Sequence, residues 1–133
     1  MKYLLDSNIC IHFFRGNFHL DEKISAIGTR NCAISEITLA ELVYGAEYSS
    51  NPSRNLLLIS EFTNRISILP IFEAIPEYGK QKAKLRKSGL LISDFDLLIG
   101  STAIAKKMIM VTENIKEFTR MNNIEIENWV TRK

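Results

Sequence analysis

The chain has 133 residues, 46% of them hydrophobic, which is enough for one compact core and a single domain over residues 1–133. Seventeen basic residues against fifteen acidic ones leave a net charge of +2, too little for a protein whose work is to coat nucleic acid. No apolar run approaches the roughly 18 residues of a membrane span, and Asp6 interrupts the first hydrophobic stretch before a signal-like segment develops. A soluble cytoplasmic protein is the expectation.

Tyr3 to Leu5 reads as a short apolar strand ending at Asp6-Ser7-Asn8, and Ile9 to Arg15 as a helix stopped by Gly16-Asn17. A helix over Asp21 to Ile27, a strand at Cys32 to Ile34 and a strongly apolar helix over Ile37 to Tyr48 follow. Asn51 caps, and Pro52 opens, a helix running to Thr63, and Ile66 to Leu69 is the next strand. Pro76 opens a lysine-rich helix closed by Ser88-Gly89. Ser93 caps a helix to Lys107, Met108 to Val111 is a buried strand, Ile115 to Phe118 a short helix and Ile124 to Glu127 a last strand. Strands alternating with helices predict a three-layer α/β/α sandwich around a central parallel sheet of four to five strands. In such sheets ligands sit beyond the carboxyl ends of the strands. Cys10 and Cys32 fit no CxxC or Cys/His pattern and read as small apolar fillers.

Three carboxylates stand out against this frame. Asp6 lies where the first strand ends, on the rim where reactive groups gather, although an Asp there also suits a helix cap, a job open to Ser7 or Asn8 as well. Glu41 sits inside Ile37-Thr38-Leu39-Ala40-Glu41-Leu42-Val43-Tyr44-Gly45, a helix apolar around most of its circumference, so its carboxylate is directed inward and needs a partner. Thr38 and Glu41 also have capping-box spacing, but Ser35 is the earlier cap. Gly45, one turn beyond Glu41, leaves room beside the carboxylate. Asp96 shares a helical face with Ile99, Gly100 and Ala103 and points inward too, while Ser93 and Asp96 have the spacing of a capping box. Three inward-facing acids from three βα units repel one another unless a cation sits among them. Carboxylates without His or thiolate partners suit hard ions, Mg²⁺ or Mn²⁺, and such a site activates water for hydrolysis of a nucleic-acid backbone.

These residues, in this order, resemble the PIN-domain family, and in particular its VapC-type toxins. The resemblance rests on Leu4-Leu5-Asp6-Ser7-Asn8, the stretch Ser35 to Gly45, Asp96-Leu97-Leu98-Ile99-Gly100, Val111-Thr112-Glu113-Asn114 with Glu117-Phe118, and Glu127-Asn128-Trp129, and it runs nearly end to end. It implies a PIN-like fold, a metal-dependent endoribonuclease that cuts RNA, a homodimer, and neutralisation by a VapB-like antitoxin within a higher hetero-oligomer. Asp6, Glu41 and Asp96 would be the metal-binding acids, with Thr112 and Asn114 in the fourth motif. Asn114 stands where the family often has Asp, and an amide supplies no charge, so a second metal would bind weakly. Asp94 would be a water-mediated ligand or, on simpler grounds, a favourable charge at a helix terminus.

Lys80, Lys82, Lys84, Arg86 and Lys87 make one helix strongly basic; Lys84 and Arg86, together with Arg15 after the first helix, are candidates for RNA phosphate contacts. His12 and His19 are better explained by surface or core roles than as a metal-free acid–base pair. Tyr44, Tyr48 and Phe72 read as core rather than as platforms for stacked bases. Two rival readings are an aspartyl phosphoryl acceptor, for which Asn8 stands where a second Asp is wanted, and a catalytically weak PIN-like module that acts by protein or RNA binding.

Overall fold

The structure is a computed structural model that describes residues 2–132. Five strands, β1 (Tyr3–Leu5), β2 (Cys32–Ser35), β3 (Ser67–Leu69), β4 (Ile109–Val111) and β5 (Glu125–Glu127), form a wholly parallel sheet in the order β3-β2-β1-β4-β5. Tyr3 pairs with Cys32 on one side and with Ile109 on the other, so the first strand made is the central one.

Among the described residues seven α-helices cover the sheet: α1 (Ser7–Phe14), α2 (Leu20–Ile27), α3 (Glu36–Glu47), α4 (Pro52–Thr63), α5 (Ile75–Lys87), α6 (Asp94–Ala105) and α7 (Ile115–Phe118). Alternation along the strands divides the core in two. Leu5, Cys32, Ile34 and Val111 join Ile9, Leu20, Ile24, Leu42, Ile59 and Phe62 from α1–α4, whereas Leu4, Ala33 and Met110 join Leu85, Leu97, Ile99 and Phe118 from α5–α7. This is the expected α/β/α sandwich, with α1–α4 on one face and α5–α7 on the other. Both cysteines are buried and free. Among the described residues no helix is long and apolar enough to cross a membrane.

Caps set most helix starts. The Ser35 hydroxyl accepts from the Thr38 N–H, Asn51 caps the proline-led α4, and the Ser93 hydroxyl accepts from the Asp96 N–H. Gly89 follows α5 at φ +70°, a left-handed turn that only glycine adopts without strain. Two expectations need correction. The first helix starts at Ser7 rather than Ile9, because Asp6 itself caps it and neither Ser7 nor Asn8 does. Tyr44, Tyr48 and Phe72 are not core: they are 68%, 82% and 80% exposed. Helix α3 turns Thr38, Leu42 and Ala46 inward, which leaves Tyr44 and Tyr48, one turn apart, stacked on each other at 6.0 Å on the outer side.

Candidate active site

The connections diverge at β1, leading through β2 to one edge of the sheet and through β4 to the other, and the crevice where they part lies beyond the carboxyl ends of β1 and β4. Asp6 occupies it. Its backbone N–H donates to the Val111 carbonyl at 2.9 Å, and its side chain is 2% exposed. One carboxylate oxygen accepts from the Ser7 N–H at 2.8 Å. The other accepts from the Thr112 hydroxyl at 2.7 Å and from the Asn8 amide at 3.3 Å. Thr112 Oγ1 accepts in turn from the Asn114 N–H at 2.9 Å, and Asn8 Oδ1 accepts from the Glu113 N–H at 3.3 Å. Asn8 and Thr112 thus staple the turn after β1 to the loop after β4.

Glu41 approaches from α3, half-buried, with Oε1 accepting from the Ser7 hydroxyl at 3.2 Å. Asp96, in the first turn of α6, is half-buried as well. All three carboxyls are held above their ordinary range, first by burial and then by neighbouring acids: Asp96 acts on Asp6, both Asp6 and Asp96 act on Glu41, and Glu117 acts on Asp96. None of the three makes an ion pair with a described residue. The donor set fits a hard divalent cation, since it offers only oxygens and an uncompensated negative field. Among the described residues no three acid side chains are gathered closely enough to share one ion.

The sequence profile of the PIN domain matches residues 3–124. The chain belongs to the PIN-domain family. It is 36% identical over 131 residues to the tRNA(fMet)-specific endonuclease VapC of Salmonella typhimurium, spanning 97% of this chain and 98% of that one. It is 39% identical over 134 residues to Ribonuclease VapC2 of Rickettsia felis, with 97% and 98% covered. In three dimensions it is similar to the DNA-bound VapBC structure from Salmonella typhimurium, with a TM-score of 0.90, 35% identity, and 97% of this chain and 98% of that one covered.

Several residues of this PIN domain lie in the motifs that carry the resemblance but were given no role at the site from sequence. Glu117 raises the Asp96 carboxyl and is a fourth acid beside the cluster; it sits next to the fully buried Phe118, in a helix too short to show periodicity. Ser7 supplies hydrogen bonds to two of the acids. Behind Asn8, Glu113 is gripped by Arg132 at 2.9 Å and by His12 Nε2 at 2.6 Å, which holds its carboxyl below the ordinary range. His12 therefore has a fixed partner, while His19 lies exposed beside Glu22, and the two do not form an acid–base pair.

Other expected residues separate. The Asp94 carboxylate is engaged by Lys82 at 2.8 Å and the Tyr78 hydroxyl at 2.9 Å, the arrangement of a helix-terminus charge rather than of a ligand. Asn114 is exposed and reaches the cluster through its backbone alone. Lys84 and Arg86 are exposed on α5 and make no hydrogen bond or ion pair with the acids, whereas Arg15 lines an open cavity together with Glu41.

Proposed function

We propose that this PIN domain is a Mg²⁺- or Mn²⁺-dependent endoribonuclease acting as the toxin of a VapBC-like pair. The observation that carries the proposal is a set of three carboxylates without ion-pair partners among the described residues, brought from three separate βα units to the divergence point of the sheet, near enough for Asp6 and Asp96 to act on Glu41 and Asp96 on Asp6. The names of the relatives, ribonuclease and tRNA(fMet)-specific endonuclease, support RNA as the substrate. The VapBC complexes among the structural neighbours support a VapB-like antitoxin as partner. A homodimer, joined to the antitoxin in a larger assembly, completes the proposal.

Asp6, Glu41 and Asp96 would hold the cation, which supplies Lewis-acid chemistry that acidifies a water and balances charge on the phosphodiester oxygens. The protein's part is placement. Ser7 N–H and the Thr112 hydroxyl each hold one Asp6 oxygen, and Asn8 locks that pair to the neighbouring loop. The Ser7 hydroxyl orients Glu41 by donating to its Oε1.

The test is incubation of total cellular RNA with the purified, antitoxin-free protein and Mg²⁺ or Mn²⁺, beside an EDTA control and Asp6→Asn. Discrete fragments that vanish with EDTA and in the variant are expected. The Asn oxygen still accepts from the Ser7 N–H and so keeps the α1 cap, and a circular-dichroism spectrum matching the wild type checks that the variant is folded. A second reading, a catalytically weak binding module, is favoured by Asn114 and by the distance between the acids; a folded wild type inert in every metal would establish it.

A further inference from the structure

A cavity of about 480 Å³ opens beside Glu41 between α1, α3 and α4. Its walls carry apolar surface from Ile11 and Phe14 and two guanidinium groups, Arg15 and Arg54. Neither arginine has an ion-pair partner among the described residues, in contrast to Arg132, Lys82 and Lys106. Along the same wall, one helical turn beyond Glu41, a Cβ added at Gly45 would meet no atom within 4 Å, so this side of α3 is open space rather than packed protein.

We propose that this groove holds a single-stranded segment of the RNA substrate adjoining the scissile phosphate, with Arg15 and Arg54 on its phosphates and the Ile11–Phe14 wall against a base. The inference rests on the ribonuclease reading and extends it to where the strand lies. A strand whose phosphate reaches the acids must pass through neighbouring space, and the groove is continuous with them through Glu41. The volume lies within the roughly 300–1,000 Å³ of ligand sites. Planar guanidinium groups match phosphate, and an apolar wall gives a base a surface on which to stack. The uncompensated cations beside an acid cluster favour a polyanion over an acidic side-chain partner of their own chain.

The test uses the full chain carrying Asp6→Asn, so that RNA is bound and not cut, and reads the anisotropy of a short fluorescein-labelled single-stranded oligoribonucleotide across a salt series. Adding Gly45→Leu should raise Kd about tenfold or more, since the side chain fills the groove where it meets no protein atom. Adding Arg54→Ala should weaken binding and flatten the slope of log K against log salt by about 0.7, one phosphate contact's worth for a single strand. In the otherwise wild-type enzyme, Gly45→Leu should raise KM for RNA far more than it lowers kcat.

A circular-dichroism melt no lower than the parent's shows that Gly45→Leu is folded, as replacing a helical glycine predicts. If it does not fold, Arg15→Ala with Arg54→Ala carries the same test. Unchanged Kd and unchanged slope in these variants, with a wild type that cleaves RNA, would overturn the groove assignment and leave the nuclease standing. Loss of antitoxin binding with RNA affinity intact would give the groove to a peptide and overturn it equally. A wild type that cleaves nothing overturns both.

Discussion

Glu41 holds one hydrogen bond, from the Ser7 hydroxyl, and has Asp6 and Asp96 for charged company. Its proton affinity is raised in the folded protein, so through the carboxylate range the native state binds more protons than the unfolded chain, and stability falls as pH rises. Glu41→Gln keeps the shape and removes the charge. Without metal the variant should therefore melt above wild type at neutral pH, and the gap should close as pH falls below the unfolded value of about 4.3. Added Mg²⁺ or Mn²⁺ should raise the wild-type Tm and move the variant's much less; equal shifts in both would remove Glu41 from the ligand set. The three acids were legible in the sequence because each interrupts an apolar context, Asp6 at a strand end and Glu41 and Asp96 on inward helical faces. Asn8 and Thr112 owe their roles to the pairing of β1 with β4, joining positions 104 residues apart, and nothing local to either residue announces that.

Among the elements, α6 and α3 show what glycine does at two different kinds of site. A Cβ at Gly100 would strike the Met121 sulfur and come within 3.3 Å of Phe118 Cδ1, so the close seating of α6 against the segment 118–121 depends on its absence. Gly100→Val should cost roughly 1–3 kcal/mol by overpacking, read from the midpoint of urea unfolding at constant m. Gly45→Ala, by contrast, opens onto empty space and should be neutral or gain up to about 1 kcal/mol from helix propensity. Helix starts at Ser35, Asn51 and Ser93 were readable because short polar side chains precede apolar runs. The start of α1 was not, since Asp6, Ser7 and Asn8 are all competent caps and only the chain's path out of β1 selects the first. The tyrosines of α3 misled because that helix is apolar on more of its surface than it buries.

At the scale of the whole molecule, the C-terminal segment closes one core. Trp129 and Val130 are buried among α1–α4 residues, with the Trp129 ring edge-on to Tyr3 at 5.1 Å and its indole N–H donating to Glu127 at 2.9 Å. Trp129→Ala should cost about 3–5 kcal/mol, and a loss within 1 kcal/mol by the same urea titration would show the tail to be dispensable. The layer architecture was evident from alternating strands and helices, but the strand order was not, because periodicity identifies a strand without naming its neighbours. That order also governs timing. The central strand is synthesised first, yet Asp6 meets its Thr112 partner only after 106 further positions have been added. During synthesis the growing chain therefore lacks this contact until β4 and the residue after it have emerged, and a polypeptide released before that point carries Asp6 without the loop that holds it in place.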